Sequence, residues 1–490
     1  MRKLICAIDQ GTTGTTVILL DEKLLVVGKK NTEFPQIYPQ AGWVEHNPDA
    51  IWESTLQTIA ALSEETQVQP SEIVCVGITN QRETTLVWDR KTGTPIYNAI
   101  VWQDRRTAGT IEALRNQGLG PQIQQKTGLV LDPYFSGTKI SWILDKVDGA
   151  RARAKRGELA FGTIDSFLLN RLTGEHKTDI SNASRTLLMD LKSGEWDDEL
   201  LDLFRVPKNM LPEILSNSEL FGTIKNVEGL LDGTPVCGMA GDQQSALFGQ
   251  ACFEAGSAKC TFGTGAFLLM NTGKKIVHSK NRLLSTAAWR LNGKTTYALE
   301  GSAFIAGAMV QWLRDGLGFF ESSHEIEALA NEVDSSDGVF AVPSLAGLGA
   351  PHWNPDARGV LWGMTRGTTR AHIARAVLEG IALQNVDLLS AMEDDFGGKL
   401  HELKVDGGAS ENNLLMQMQA NFLDTRIVRP AMTDTTGLGA ALFAGLHIGV
   451  FSDLDDVRKI WVEDARFEPQ MNSTVRDTYL RNWSEAIKRV

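Results

Sequence analysis

The sequence predicts an α/β protein built from two domains of related architecture. Three observations carry that reading. The chain has 490 residues, too many for one hydrophobic core. Strand-like buried runs alternate with amphipathic helical stretches along it. One pattern also occurs twice, far apart: "LICAIDQGTTGTTVILLD" (residues 4–21) and "AKCTFGTGAFLLM" (258–270) each run β-prone, break into Gly and Thr, and run β-prone again. The division falls near residue 250, inside "GDQQSALFGQACFEAGSAKC", giving domains 1–250 and 251–490.

Taken in order, the opening stretch reads as two strands joined by a Gly/Thr turn, with Asp9 at the junction. "EIVCVGITNQ" (72–81) is a buried strand, and "PVCGMAGD" is an apolar run that ends on Asp242 before the helix "QQSALFGQ". "ARAVLEGIALQNVDLLSAME" (374–393) is a long helix. "LKVDGGASENNLLMQMQANFLD" (403–424) reads as a strand ending in Asp406-Gly407-Gly408. The helix after it takes Ser410 as N-cap and carries Leu414, Leu415, Met418 and Phe422 on its apolar stripe. "TTGLGAALFAGLHIG" (435–449) is a helix of small residues able to pack closely on its neighbours, and the chain ends in an amphipathic helix.

Composition excludes several functions. With 42% hydrophobic and 22% charged residues, the chain is of the soluble globular class. A net charge of −12 opposes non-specific binding to nucleic acid or to an anionic membrane surface. It leaves room for a phosphorylated ligand, which backbone amides can hold within an acidic protein. Five cysteines without a CxxC spacing read as reduced, mostly buried thiols, as expected of a cytoplasmic protein. Neither a signal peptide nor the run of about 18 apolar residues needed for a membrane helix is visible.

Taken alone, "DQGTTGTT" is explained equally by a hairpin turn, since Gly supplies positive φ and Thr bonds locally. Three Gly-rich turns, each closing a buried strand, point instead to a grip on an anion by close backbone amides and hydroxyls. The pattern lacks the GKS/GKT of a Walker A loop and the GxGxxG of a dinucleotide site. A carboxylate at the mouth of such a loop repels phosphate unless a cation intervenes, so Asp9 implies Mg²⁺ bound largely through water and phosphate oxygens.

"DQGTT", "GDQQSALFGQ", "FGTGAFLLMNTG" and "DGGASENN", in that order, resemble the FGGY carbohydrate kinase family of the actin-like ATPase superfamily. "YFSGTKISWILDK" (134–146) and "GVLWGMTRGTTRAHIARAVLEG" (359–380) are similar to that family's two signature regions. Four further stretches resemble the branch that phosphorylates glycerol: "TNQRETTLVWDRKTGTPIYNAIVWQDRRT" (79–107), "DPYFSGTK" (132–139), "TDISNASRTLLMD" (178–190) and "EGSAFIAGAMVQWLRD" (300–315). The likeness extends from residue 4 to about residue 450. It implies two actin-like (ribonuclease H-like) domains flanking an interdomain catalytic cleft, with glycerol and ATP as substrates and Mg²⁺ as cofactor. A homo-oligomer, dimer or tetramer, is also implied.

The same resemblance assigns residues. Arg82, Glu83, Tyr134, Asp242 and Gln243 would hold the hydroxyls of the polyol, with Trp102 and Phe267 as an apolar wall and Asp242 as general base. Arg82 only donates and Glu83 only accepts, so the pair suits hydroxyls that do both. Seen alone, an Arg-Glu pair after a strand is more often a solvated surface pair, and Asp242 is equally a helix N-cap. Thr12, Thr13, Gly14 and Thr264 would surround the phosphates. Gly307 and Gln311, four apart on one helix face, would point to the nucleotide, and Gly408 and Asn412 would bracket a helix start beside it.

Two departures stand out. Thr16 replaces an Arg of the family's first loop, so no cation from that loop is expected at the phosphates. "TIKNVEGLLDGTPVCGMAGDQQ" lacks the paired glycines and the His used by some relatives for fructose 1,6-bisphosphate or phosphorylation control, so neither is expected. The rival readings are a family member acting on a pentulose or longer polyol, and a nucleotide-dependent actin-like scaffold indifferent to glycerol.

Overall fold

The computed structural model describes residues 2–490 apart from Asn226, Glu228 and Pro355. Pro355 lies outside the stretches considered for function, whereas Asn226 and Glu228 fall in the stretch inspected for regulatory glycines, which to that extent lies outside the described residues.

Apolar residues at nearly every position of "LICAIDQ" make β1 (Leu4–Gln10) a central strand covered on both faces. It pairs antiparallel with β2 (Gly14–Asp21), which pairs antiparallel with β3 (Val26–Glu33). On its other side β1 lies parallel to β4 (Ile73–Asn80). Beyond β4 come β5 (Ser218–Thr223) and β6 (Pro235–Gly241), giving the order β5-β6-β4-β1-β2-β3 with β6 parallel to β4. Helix α1 (Pro48–Thr66) packs on β2 and β3. Its start is set by Asn47, whose side chain accepts from the Asp49 N–H, with Pro48 in the first turn.

The second sheet repeats this plan. Strands β7 (Ala258–Phe262) and β8 (Ala266–Gly273) form the second hairpin, flanked by β9 (Leu284–Leu291) and β10 (Lys294–Ala303). On the other side β7 lies parallel to β11 (Glu402–Asp406), then β12 (Arg426–Pro430) and β13 (Glu463–Phe467) follow. The order is β9-β10-β8-β7-β11-β12-β13. In both sheets an antiparallel unit, of three strands in the first and four in the second, is extended by two parallel strands beyond β1 or β7 and closed by an antiparallel edge strand.

Two helices lie between the sheets: α2 (Asp242–Gly249) and, much later in the chain, α6 (Thr435–His447). α6 packs on β1, β4 and β6 of the first sheet although it follows the second. The two helices approach so closely that a Cβ on Gly439 would sit 1.9 Å from the Ser245 carbonyl oxygen, a contact only glycine permits. Phe248 and Phe443 stack across this crossing at 3.9 Å between ring centroids, in a core shared with Ile5 and Leu269. The 27-residue α4 (Arg370–Phe396) and α5 (Asn413–Leu423) cover the second sheet, and α7 (Ser473–Ile487) packs on both. Helix α3 (Gly307–Asp315) follows β10.

Among the described residues no helix is long and apolar enough to cross a membrane. All five cysteines are free and buried. One local expectation is corrected. Ser410 does not cap α5: residues 408–411 form a 3₁₀ turn in which the Ser410 hydroxyl bonds the Gly407 carbonyl. Asn412 is the cap, its side chain accepting from the Leu415 N–H at 2.8 Å. The extra turn starts the helix two residues later. Asp242 is likewise not an N-cap, because Gly241 holds that position and Asp242 is the first helical residue.

Candidate active site

The parallel strands of both sheets end toward one region, the place where open α/β sheets present their ligands. β4 delivers Gln81, Arg82 and Glu83, β6 delivers Asp242, and the β7–β8 turn delivers Gly263 and Thr264. Glu83 has φ +60, unusual for a non-glycine residue, and this kink turns the chain sharply, with the Thr84 N–H bonding the Arg82 carbonyl at 2.7 Å.

A cavity of about 160 Å³ opens here, and Arg82, Glu83, Trp102, Tyr134, Asp242, Gln243 and Phe267 all line it. The Trp102 ring meets Tyr134 edge-on at 5.7 Å and Phe267 at 6.2 Å, making one apolar wall. Thr12 also lines this cavity, held by a 3.0 Å hydrogen bond from the Trp102 indole N–H to its hydroxyl. Asp242 Oδ1 lies 3.1 Å from Arg82 Nε and accepts from the Gln243 N–H at 2.7 Å, while the side chain stays 28% exposed. It is therefore oriented on one oxygen and open on the other.

Behind the cavity lies a buried charge cluster. Glu300 on β10 takes Arg82 in a fork, Nη1 to Oε2 at 2.5 Å and Nη2 to Oε1 at 2.9 Å. Arg185 donates to Glu83 Oε1 at 2.6 Å and to Glu300 Oε1 at 2.9 Å. Burial alone would raise the Glu300 pKa, but Arg185 and Arg82 outweigh it and hold the carboxyl down at about 2. Burial pushes Glu83 up despite the opposing pull of Arg185 and Arg82. Burial would lower Arg82, yet Glu300 and Glu83 raise it further above the ordinary guanidinium value. The sequence reading did not single out Arg185 or Glu300. Both lie in stretches already quoted, but the pairing of a turn residue with a strand residue 115 positions later leaves no local trace.

A second cavity, of about 520 Å³, adjoins the first. Thr264, Gly307, Gln311, Gly408 and Asn412 line it. Gly263 and Thr264 belong to both walls, so the two cavities meet at this turn. Main-chain bonds from Ala306 and Ala308 to the Thr264 carbonyl, at 2.8 and 3.1 Å, fix the turn against the start of α3. Gly407 has φ +83, and a Cβ there would lie 2.6 Å from the Phe262 carbonyl oxygen, so the turn after β11 needs glycine. Thr13 and Gly14 line neither cavity: Thr13 is exposed in the β1–β2 turn, and Gly14 begins β2.

Asp9, at the end of β1, is half-buried; burial pushes its carboxyl up to about 7 against a hydrogen bond to Thr436, with Asp242 and Asp434 adding to the rise. Among the described residues no group of three or more His, Cys, Asp or Glu forms a cage for a metal. A hard divalent cation could instead sit by Asp9 and relieve its repulsion with Asp242, drawing other oxygens from phosphate and water. Thr16 is the cross-strand partner of Asp9, and its hydroxyl accepts from Asn31.

A two-lobed α/β cleft with a small polar cavity opening on a larger one beside Gly-rich turns defines a phosphoryl-transferring class. Comparison gives the family. Residues 4–249 match the N-terminal domain of the FGGY family of carbohydrate kinases and residues 258–448 its C-terminal domain, and the chain belongs to that family. It is 54% identical over 488 residues to a glycerol kinase of Deinococcus radiodurans, covering 99% of this chain and 97% of that one. It is 52% identical to a glycerol kinase of Bdellovibrio bacteriovorus, with all of both chains covered. A crystal structure of Plasmodium falciparum glycerol kinase with ADP superimposes with a TM-score of 0.92 at 38% identity, over 100% of this chain and 98% of that one. The fold is the mixed α/β two-domain FGGY fold.

Proposed function

We propose that this chain transfers the γ-phosphoryl group of ATP to a terminal hydroxyl of glycerol, giving sn-glycerol 3-phosphate and ADP. The observation that carries the reading is the junction of the two cavities at Gly263 and Thr264, with Asp242 on the smaller side. At about 160 Å³ the smaller cavity is well below the size usual for larger ligands and suits a three-carbon polyol better than a pentulose. The full-length likeness to glycerol kinases supports the same substrate.

In this mechanism Arg82, Glu83, Tyr134 and Gln243 hold the hydroxyls, and Trp102 and Phe267 cover the carbon chain. The hydroxyl facing the nucleotide gives its proton to Asp242 as its oxygen bonds to the γ-phosphorus. The bond from that phosphorus to the β–γ bridging oxygen breaks, and ADP leaves. Such transfer depends mainly on alignment and charge neutralisation. Mg²⁺, when bound, supplies positive charge to the phosphates, and Asp9 would hold it through water. Thr264, Gly307, Gln311, Gly408 and Asn412 line the nucleotide side, and Thr12, Thr13 and Gly14 supply the facing turn. The division into domains 1–250 and 251–490 places one phosphate turn in each.

The test is ADP release from Mg-ATP with no acceptor, glycerol, dihydroxyacetone, erythritol or xylulose. Strong stimulation by glycerol supports the proposal. A preference for xylulose or erythritol overturns the polyol assignment, and release indifferent to every acceptor overturns transfer itself.

A further inference from the structure

Lys259 is a charged residue in the middle of the apolar strand β7, and it is fully buried. Its Nζ donates to Gln243 Oε1 at 2.5 Å and to Thr261 Oγ1 at 2.7 Å. A lysine ammonium has no acceptor, so it takes the oxygen of the Gln243 amide and leaves the NH₂ as the group available to the small cavity. Gln243 is thereby fixed as a donor to a substrate oxygen. A buried lysine loses rotamer freedom and hydration, so its retention here calls for a purpose beyond packing.

The bonds continue. Thr261 Oγ1 donates to Asp406 Oδ1 at 2.5 Å, and Gln250 Nε2 donates to Asp406 Oδ2 at 2.8 Å. Gln243 stands near the start of α2, and Gln250 follows its last residue. Both ends of the helix that carries Asp242 are therefore tied to Asp406, one through Lys259 and Thr261, the other directly. Asp406 ends β11, immediately before the Gly407-Gly408 turn, and Gly408 lines the larger cavity. These side-chain bonds, closed into a ring by helix α2 itself, link the turn beside one cavity to the acceptor-facing residues of the other.

We propose that Lys259 is a positioning residue that couples nucleotide binding to glycerol binding, through Gln243 on one side and Thr261 and Asp406 on the other. The inference rests on the reading of the small cavity as the glycerol site and the large one as the nucleotide site. A ligand pressing on the 407–408 turn shifts Asp406, and the ring carries that shift to α2, where Gln243 and Asp242 meet the acceptor. Coupling of this kind is reciprocal: each ligand changes the other's affinity by the same factor.

The test is glycerol titration by calorimetry with and without saturating Mg-ADP, on the unaltered chain and on Lys259→Met, Lys259→Arg and Thr261→Val. The ratio of the two glycerol dissociation constants is the readout, because a merely structural lysine would change folding stability without changing that ratio. The proposal expects a ratio of about fivefold or more in the unaltered chain. It expects a fall toward one in Lys259→Met, partial recovery in Lys259→Arg, and a fall toward one in Thr261→Val, which keeps the ammonium but cuts the path to Asp406. A folded Lys259→Met that keeps the full ratio overturns the proposal. If that variant fails to fold, an unchanged ratio in Thr261→Val overturns it instead. A ratio of one in the unaltered chain, with both ligands binding, also overturns the coupling while leaving the substrate reading intact. Nucleotide binding without any glycerol binding overturns the substrate reading, and the coupling falls with it.

Discussion

Arg82, Arg185, Glu83 and Glu300 meet in a buried cluster, and each cation is shared between carboxylates. Removing one partner from such a cluster leaves an unbalanced buried charge, which costs far more than the loss of a surface pair. Glu300→Gln keeps the shape and deletes the charge that holds both arginines. It should lower unfolding stability by about 3–5 kcal/mol in chemical denaturation, and a loss under about 1 kcal/mol, the range of exposed pairs, would contradict the account. Asp242 is a different kind of residue: part-exposed, oriented by Arg82 and open toward the acceptor. Asp242→Asn should reduce turnover roughly 10²- to 10⁴-fold, the usual contribution of a general base, and leave ADP affinity unchanged in calorimetry. At this scale the sequence was informative where a residue belonged to a motif at a strand end, as Arg82, Glu83 and Asp242 do. Glu300, Arg185 and Lys259 escaped it as individuals, because contacts between groups far apart along the chain have no spacing to read. Lys259 and Glu300 each left a faint signal, a charge inside an apolar strand.

The elements were more legible than their contacts. The two Gly/Thr turns stand out because each interrupts a strongly apolar run, and both proved to be strand junctions lining or flanking the cleft. Small residues in 435–449 announced close packing, but nothing in that segment says that α6 crosses back to the first sheet. The Ser410 cap failed for a local reason, since Ser and Asn both cap well and a 3₁₀ turn can precede either. Close approach of α6 to α2 gives a test at this scale. Gly439→Ala drives a methyl group toward the Ser245 carbonyl and should cost about 1–3 kcal/mol. Because α2 begins with Asp242, turnover should fall beyond what the unfolded fraction explains. Unaltered thermal stability and turnover would show that the crossing has slack.

Across the whole molecule, two sheets of one plan are joined by shared helices and by ion pairs from one sheet to the other. That architecture was readable from the repeated strand–turn–strand pattern and from the family motifs. What was not readable is how burial sets the charge of groups far from the cleft. Glu379 on α4 is buried beside Tyr479 of α7, and burial pushes its carboxyl up to about 7, against opposing contributions from Ser336 and Arg375. A carboxyl whose folded pKa exceeds its ordinary value of 4.5 favours the folded state fully below 4.5, and that contribution is lost as pH rises through 7. Glu379→Gln removes the loss. The melting-temperature difference between variant and parent should therefore move in the variant's favour between pH 5 and pH 8, by the equivalent of about 3 kcal/mol. A difference independent of pH would contradict the assignment.

The central claim, transfer of phosphate from ATP to glycerol in a cleft that favours the polyol over water, is tested most directly by ³¹P NMR. The unaltered chain would be incubated with Mg-ATP and glycerol, and the fate of the γ-phosphorus followed. The account predicts a glycerol phosphomonoester signal that grows in step with ADP, with inorganic phosphate a minor product. Inorganic phosphate formed at the same rate with and without glycerol, and no phosphomonoester, would contradict it.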